Sequence, residues 1–314
     1  MPGASGGDPQ PPRDEEALVL SVVIPTLGRT ARLQETLESL LRCRPYPDEV
    51  IVVDGDRSAS TREVVESLHR NRESPSLSYH ASEPGLTRQR NHGLAAATGD
   101  VVVFFDDDMR LDLTPDLFAR IRRAFVRRDI VGLSGRITWK EERRFGRSRS
   151  RVRRLLLGRE REGRFTRFGY PRYLIDQDRE RDVEYMHGNF MCARLEQARE
   201  VRFDEALTGY ALAEDEDFSY RLSRLGRIRF DPTILVEHER FGKRDQRKLG
   251  RAVVVNRTYL FRKNFEQTPL ARLQFGLFVC LLIGHRLVNG EVGGARGLIE
   301  GIGDVLSHSR AREL

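Results

Sequence analysis

The chain is poor in cysteine and tryptophan, with three cysteines and one tryptophan among 314 residues. Cys43, Cys192 and Cys280 lie far apart, without a CxxC pair and without a histidine at metal-ligand spacing. Neither a disulfide framework nor a structural zinc site is therefore indicated. We infer a reducing compartment.

Long apolar segments are also scarce. The stretch Phe275 to Gly284 has ten residues, about half of what a membrane-spanning helix requires, and Arg272 and Arg286 flank it. It is interpreted either as a helix docked on the domain or as an anchor that enters one membrane face. Residues 1–17 lack an apolar core and are rich in proline, glycine and acid, which predicts a disordered tail and no signal peptide.

Charge is abundant, with 32% charged residues and a formal net charge of +7. This balance suggests an anionic partner such as a phosphorylated substrate, an anionic membrane or nucleic acid. Arginines are concentrated in the insertion 140–182, which is interpreted either as a solvated segment or as a basic surface for an anionic membrane. Its few aromatic residues and interleaved glutamates disfavour nucleic acid, so no nucleic-acid partner is predicted.

Three apolar runs, Leu18–Ile24, Glu49–Val53 and Val101–Phe105, have the pattern of buried strands. Amphipathic helices follow the first two runs, as the leucines after Thr30 and the valines after Ser58 indicate. Strand and helix therefore alternate along the chain. This order predicts an α/β fold with a doubly wound, mostly parallel sheet flanked by helices.

Polar residues follow each predicted strand, and parallel strands deliver such residues to the same edge of a sheet. Pro25 and Thr26 follow the first run, Asp54 and Asp56 the second, and the triplet Asp106, Asp107 and Asp108 the third. Three adjacent carboxylates repel one another unless they meet water or a cation. A divalent cation, Mg²⁺ or Mn²⁺, completed by substrate phosphates suits such a group. A solvated acidic turn is the alternative.

A short helix is predicted between Gly85 and Gly99, capped by Thr87. Arg88, Arg90 and Asn91 lie near its start, where basic side chains and free backbone N–H groups favour a phosphate. The alternative is an alanine-rich packing helix with solvated arginines.

Four acidic residues, Glu214 to Asp217, open a further predicted helix, more than the helix dipole requires. A strand that follows ends in His238. Taken alone, the acidic turn is also compatible with a helix cap, and the histidine with a structural role.

The segments VVIPTLGR (22–29), VVDGDRS (52–58) and GLTRQRNHGLAAATGD (85–100) lead into VVVFFDDD (101–108). In order and spacing they resemble the nucleotide-sugar half of the family 2 glycosyltransferases, and the likeness extends from about Leu18 to Phe241. The resemblance implies a GT-A fold over 18–241. The following segment, 242–314, is predicted to be helical, and its apolar stretch either packs on the domain or contacts a membrane.

The resemblance also implies roles for individual residues. Asp54 contacts the nucleobase, Asp106 and Asp108 form the DxD motif at the ribose and the cation, and His238 is a second metal ligand. Many members have DDGS where this chain has Asp54-Gly55-Asp56, so Asp56 is expected to share or take over a donor contact. The remaining donor-side residues are expected to be Pro25, Thr26, Arg29, Arg88, Arg90, Asn91 and Asp107.

On the acceptor side, Asp215 matches the aspartate of the ED motif that acts as catalytic base. Glu214 and Asp217 are its neighbours, and Gly188 and Asn189 belong to the acceptor segment. The implied function is an inverting, metal-dependent transfer of a sugar from a nucleoside-diphosphate sugar to a lipid-linked or cell-surface glycan. The expected location is cytoplasmic, on the inner face of the plasma membrane.

Two alternatives stay open at this point. The first is a nucleotide-sugar-binding subunit that has lost catalysis, although such a subunit would have no need of Asp215. The second is a nucleotidyltransferase, which would normally present a glycine-rich basic loop after the first strand.

Overall fold

The computed structural model describes residues 17–70, 75–139, 162–174, 177–208, 211–239 and 245–310. Within these residues the chain forms one nine-stranded sheet with helices on both faces. The strands are β1 (Leu20–Thr26), β2 (Glu49–Asp54), β3 (Ser76–Ala81), β4 (Val101–Phe105), β5 (Met109–Arg110), β6 (Ile130–Trp139), β7 (Arg181–Val183), β8 (Phe190–Arg194) and β9 (Arg227–His238).

The sheet has the order β3-β2-β1-β4-β8-β6-β9-β5, and β7 pairs with β9. Strands β3, β2, β1 and β4 are parallel to one another, as are β6 and β9. Strand β8 is antiparallel to both of its neighbours. The predicted α/β architecture with a mostly parallel sheet is confirmed.

The helices connect these strands and then extend beyond them. They are α1 (Thr30–Leu40), α2 (Ala59–Arg70), α3 (Leu86–Ala96), α4 (Leu117–Phe125), α5 (Leu195–Val201), α6 (Glu214–Leu222), α7 (Gln246–Asn264), α8 (Pro269–Val288) and α9 (Val292–Arg310).

The apolar runs are uninterrupted because the central strands are covered on both faces. Val101, Val103 and Phe105 of β4 belong to one hydrophobic core, whereas Val102 and Phe104 belong to the core on the other face. Successive side chains of a strand point to opposite faces, so a strand between two helical layers needs apolar residues at every position.

Two local predictions are wrong. Strand β3 was missed because its sequence, SLSYHA, is mostly polar, as suits a strand at the sheet edge. Helix α3 is not capped by Thr87: the residue before the helix is Gly85, whose φ is 143°, and the Thr87 hydroxyl donates to the Leu207 carbonyl at 3.4 Å. A side chain is disfavoured at that φ, so glycine makes this turn possible.

The helix that contains the ten-residue apolar segment is longer than the segment indicated. The segment lies within α8, a helix of 20 residues that begins where the Thr268 side chain accepts a hydrogen bond from the Ala271 N–H. Arg272 and Gln274 break the apolar run but do not break the helix. Among the described residues, one helix is long enough and apolar enough to cross a membrane, judged by length and composition, and it is α8.

Helices α7, α8 and α9 pack side by side. Helix α9 lies so close to α7 that a Cβ at Gly297 would come within 2.0 Å of the Arg247 carbonyl oxygen, and one at Gly301 within 2.8 Å of the Arg251 carbonyl oxygen, which explains glycine at these two positions. The end of the arginine-rich insertion packs on the same helices, with the Phe168 and Tyr170 rings 5.5 and 4.5 Å from that of Phe278. Residues 140–161 of the insertion lie outside the described residues.

Candidate functional site

The carboxyl ends of β1, β2 and β4 meet at one edge of the sheet, as predicted. Gln89 of α3 holds two of these ends together, because its side-chain amide donates to the carbonyls of Thr26 at 2.7 Å and Val53 at 2.9 Å. Thr26 also donates its hydroxyl to Asp107 at 2.7 Å. Pro25 and Thr26 are buried in β1 and support the edge.

The three adjacent aspartates have different partners. Asp107 is fully buried and forms an ion pair of 2.6 Å with Arg29. Asp108 is contacted by Arg29 at 3.0 Å and by His238 Nε2 at 3.0 Å. Asp106 is partly exposed and accepts a hydrogen bond from Asn189 at 2.6 Å. The three carboxylates therefore avoid the mutual repulsion of an unpartnered triplet.

Two of these carboxylates differ in their protonation. Burial raises the pKa of Asp107 to about 7, although Arg29 and the Thr26 hydroxyl act in the opposite direction. Burial also disfavours the ionised form of Asp108, but the hydrogen bond and charge of His238 and the charge of Arg29 outweigh it and lower its pKa. Asp108 is therefore the better anionic ligand at neutral pH.

Strand pairing brings His238 to the aspartates. The short strand β5 runs antiparallel to β9, so Met109 lies opposite His238, and the Glu239 N–H donates to the Asp108 carbonyl at 2.9 Å. Ligand atoms of Asp106, Asp108 and His238 all lie within 4.8 Å of one another. Two carboxylates and one imidazole suit Mn²⁺ or Mg²⁺, so the donor set fits the cation that the sequence predicts.

Asp215 of α6 is the partly exposed carboxylate of the acidic helix. Its Oδ2 accepts hydrogen bonds from the Gly188 N–H at 2.9 Å and from the Tyr185 hydroxyl at 3.3 Å. These donors fix the orientation of the carboxylate, while its exposure leaves it accessible to a substrate.

Arg90 connects the acidic helix to the aspartate triplet. Its guanidinium, 1% exposed, contacts Glu214 at 2.5 Å and Asp106 at 3.1 Å and donates to the Gly188 carbonyl at 2.8 Å. Burial and Asp215 raise the pKa of Glu214 to about 8 against the effect of Arg90. The structure thus places Arg90 inside the protein as a bridge, which differs from the phosphate-facing position predicted for it.

The other two acidic residues of α6 face α7. Glu216 forms a two-pronged ion pair with Arg257, with both distances 2.7 Å, and accepts the Tyr173 hydroxyl at 2.9 Å. Asp217 accepts from Asn264 at 2.7 Å and pairs with Lys263 at 3.0 Å. Asp217 was predicted on the acceptor side. This is wrong, because α7 covers that face of α6.

Asp54, which was expected to contact the nucleobase, is buried, whereas Asp56 is exposed. Asp54 is fully buried and accepts hydrogen bonds from the N–H groups of Asp56 at 2.9 Å and Ser58 at 2.8 Å and from the Tyr79 hydroxyl at 3.1 Å. Its carboxylate shapes the loop after β2. Asp56 is exposed and faces Gly28 across this loop.

The predicted phosphate residues of α3 are also divided. Asn91 is buried, and its amide bonds both the N–H and the carbonyl of Phe203, at 2.8 and 2.9 Å. Arg88 is half-exposed, 3.7 Å from Glu205. Arg88 keeps access to a ligand, whereas Asn91 holds the chain after α5 against α3.

Three residues of this network were not predicted from the sequence. Tyr173 and Arg257 reach α6 from distant segments, and Tyr185 precedes the glycine turn at Gly188. Tyr185 could have been found from its closeness to the acceptor segment. Arg257 lies in α7, which contains six arginine or lysine residues, so nothing in the sequence distinguishes it from the others.

A cavity of about 540 Å³ lies elsewhere, at the amino ends of β1 and β4, lined in part by Asp100, Arg194 and Arg199. Arg194 donates to the carbonyls of Phe125 and Ile130, and Arg199 likewise donates to backbone carbonyls. Both arginines thus serve the fold. The carboxylate edge, which concentrates the partly exposed acids, is the candidate active site.

Comparison with known proteins agrees with this location. The family described as "Glycosyl transferase family 2" matches residues 21–194, more than half of the chain. A GalNAc(5)-diNAcBac-PP-undecaprenol beta-1,3-glucosyltransferase of Campylobacter jejuni is 32% identical over 96 residues, which cover 29% of this chain and 30% of that protein. An uncharacterized glycosyltransferase of Nostoc is 29% identical over 115 residues, 36% of this chain and 35% of that protein. The matches thus span about a third of these curated relatives.

Solved structures share the fold. The mannosyltransferase PcManGT from Pyrobaculum calidifontis, in complex with GDP-Man and Mn²⁺, has a TM-score of 0.60 at 16% identity, covering 92% of this chain and 87% of that one. TarS of S. aureus, residues 1–349, has a TM-score of 0.54 at 19% identity, covering 83% and 71%. These likenesses confirm the predicted GT-A fold. The family match, which spans more than half of the chain and includes the strands and loops that carry the aspartates, shows that the chain belongs to glycosyl transferase family 2.

Proposed function

We propose that this protein is an inverting, metal-dependent glycosyltransferase that uses a nucleoside-diphosphate sugar. The observation that carries the proposal is the joint placement of two groups. The cluster Asp106, Asp108 and His238 and the accessible carboxylate of Asp215 lie on either side of one buried guanidinium, that of Arg90. A metal-diphosphate group and a proton acceptor are the two functions that such a transfer needs.

The donor side follows from charge. A divalent cation held by Asp106, Asp108 and His238 would neutralise the diphosphate as it leaves, which is the main electrostatic demand of the reaction. Arg29, with 49% of its side chain exposed, and Arg88 are positioned to contact phosphate oxygens. Because Asp54 is buried in its own loop, Asp56 is the better candidate for the nucleoside contact.

The acceptor side follows from Asp215. Its carboxylate takes the proton of the acceptor hydroxyl while the acceptor oxygen forms a bond to the anomeric carbon. The bond from that carbon to the diphosphate oxygen breaks at the same time, so a single displacement inverts the configuration. The Gly188 N–H and the Tyr185 hydroxyl hold the Asp215 carboxylate in place for this proton transfer.

A lipid-linked or cell-surface glycan is the proposed acceptor. The name of the C. jejuni relative contains a PP-undecaprenol-linked acceptor, and this chain carries a net charge of +7 and one long apolar helix, α8. These features support a cytoplasmic protein at the inner face of the plasma membrane. The positive net charge does not by itself make nucleic acid the substrate, since the candidate site is built from carboxylates.

A panel of nucleotide sugars, with Mn²⁺ or Mg²⁺, tests the proposal. A ligand that binds the folded state alone raises the melting temperature by mass action, and slow hydrolysis of the donor reports turnover. Asp108→Asn is expected to abolish the metal-dependent stabilisation. Asp112→Asn is the matched control, since Asp112 pairs with Arg42 and Arg110 outside the cluster. If no nucleotide sugar stabilises the wild type and none is hydrolysed by it, the proposal is wrong.

A further inference from the structure

Helix α8 has an uncovered apolar face. Of its 20 residues, Ala271, Phe278 and Val279 are buried. Large apolar side chains are exposed on the opposite face: Leu270, Leu273, Leu277 and Leu281 recur at intervals of three or four residues, and Leu287 and Val288 follow near the end of the helix. Such spacing marks one side of a helix about 30 Å long, and no charged residue occurs between Leu273 and Ile283.

Helix α9 has an exposed apolar side of its own. Val292, Ile299 and Leu306 are exposed by 65%, 56% and 58% and are seven residues apart, so they share one side of the helix. Large apolar side chains exposed at regular spacing on neighbouring helices are typical of a surface that a partner or a membrane covers. We call the exposed apolar residues of α8 and α9 the docking face.

The packing of α8 argues against a membrane-spanning position. Helix α8 runs antiparallel along α7: the Phe275 ring stacks on that of Phe261 at 5.0 Å, and Arg286 donates to Gln246 at the other end of α7. Helix α7 carries the exposed ion pairs of Arg247 and Arg251 with residues of α9. A spanning α8 would draw these charges into hydrocarbon, at a large cost.

The segment that carries the docking face is basic. Residues 245–310 contain ten arginine or lysine residues against five aspartate or glutamate residues, and the whole chain has a net charge of +7. Face-to-face pairing of two copies would bring these like-charged segments together, whereas anionic lipid headgroups would neutralise them. An apolar face on a basic segment supplies the two terms that reversible binding to an anionic bilayer needs.

We infer that α8 and α9 lie flat in the interface of an anionic lipid bilayer, with the docking face toward the acyl chains. This rests on the proposed function in one respect, because it names the surface from which a lipid-linked acceptor would be reached. The ion pairs of α7 with Glu216 and Asp217 connect the docked helices to α6. Asp215 is thereby held at a fixed height above the bilayer.

Co-sedimentation of the full chain with vesicles tests the inference. Vesicles of phosphatidylglycerol and phosphatidylcholine are expected to bind the wild type, and Leu277→Glu is expected to lower the partition coefficient by about tenfold or more, because it places a charge in the acyl layer. Leu225→Glu is the matched control: Leu225 is exposed by 39% but lies outside the docking face. It is expected to bind like the wild type.

Cys280 provides a direct probe of depth. It is exposed on α8 next to Leu281, whereas Cys43 and Cys192 are buried. A polarity-sensitive fluorophore on Cys280 is expected to shift to the blue with anionic vesicles. Lipid-attached quenchers are expected to act most strongly when they are placed roughly 5–10 Å below the headgroups.

Several outcomes would overturn the inference. They are absence of vesicle binding, equal binding of wild type and Leu277→Glu, and strongest quenching at the bilayer centre, which would indicate a spanning helix. A concentration-dependent dimer that Leu277→Glu abolishes, without vesicle binding, would assign the face to a second copy. Hydrolysis of a soluble donor without vesicles reports the proposed function separately, and Leu277→Glu is expected to retain it.

Discussion

The ion pair between Arg257 and Glu216 is expected to control both stability and catalysis, because it joins α7 to the helix that carries Asp215. The side chains are 10% and 6% exposed, the two contacts are 2.7 Å each, and the Tyr173 hydroxyl satisfies the same carboxylate. Arg257 also lies over the Tyr170 ring at 4.5 Å. Replacement of Arg257 by methionine leaves a buried carboxylate without its cation.

Breaking one partner of a buried pair costs roughly 3–5 kcal/mol of unfolding free energy. At roughly 2–4 °C per kcal/mol, Arg257→Met should lower the melting temperature by roughly 10 °C. The double variant Arg257→Met/Glu216→Gln removes both charges and should recover much of this loss. Arg251→Met, which removes an exposed pair on the same helix, should leave the melting temperature nearly unchanged.

The pH dependence has a defined sign. Burial raises the pKa of Glu216 even with Arg257 present, so its stabilising contribution is greatest below the unfolded pKa and declines as the pH rises. Loss of Arg257 raises this pKa further. The destabilisation by Arg257→Met should therefore be larger at pH 8 than at pH 5.

The wild type, Arg257→Met, Glu216→Gln and the double variant form a double-mutant cycle, and their thermal and urea unfolding measures the coupling free energy of the pair. Donor hydrolysis in the same variants measures the effect on Asp215. If the two single variants lower stability additively, or Arg257→Met behaves like Arg251→Met, the pair is solvated in solution and the argument fails.

Three further results are expected at the site. Asp215→Asn should keep donor affinity while turnover falls by about 10²-fold or more, and wild-type turnover would reduce the acidic turn to a helix cap. Chelation of divalent cations should remove the donor-dependent rise in melting temperature of the wild type and change nothing in Asp108→Asn; persistence of the rise would exclude a metal role. Arg90→Lys keeps the charge but cannot reach both carboxylates, so kcat should fall by about 10- to 100-fold in steady-state kinetics, and an unchanged kcat would contradict the bridging role.

Much of the fold was determined by local sequence. Strand β4 could be predicted because burial on both faces leaves an uninterrupted run of apolar residues, and parallel order places the residues after each such strand at one edge. The acid-rich turns after β2 and β4 were recognisable for the same reason. The acidic start of α6 was recognisable because it has more carboxylates than the helix dipole requires. The closeness of His238 to Asp108 was expected from the family resemblance, since the histidine taken alone was also compatible with a structural role.

Only the tertiary structure decided which partner each charged side chain takes. Arg90 and Glu214 are 124 positions apart, and Arg257 and Glu216 are 41 apart, so no local periodicity relates them. Burial made the difference: once Arg90 and Asp217 are excluded from water, they must pair with whichever opposite charge the packing brings near. The length of α8 was settled in the same way, since a cap at Thr268 and contacts along α7 extend a helix through residues whose hydropathy alone would have ended it.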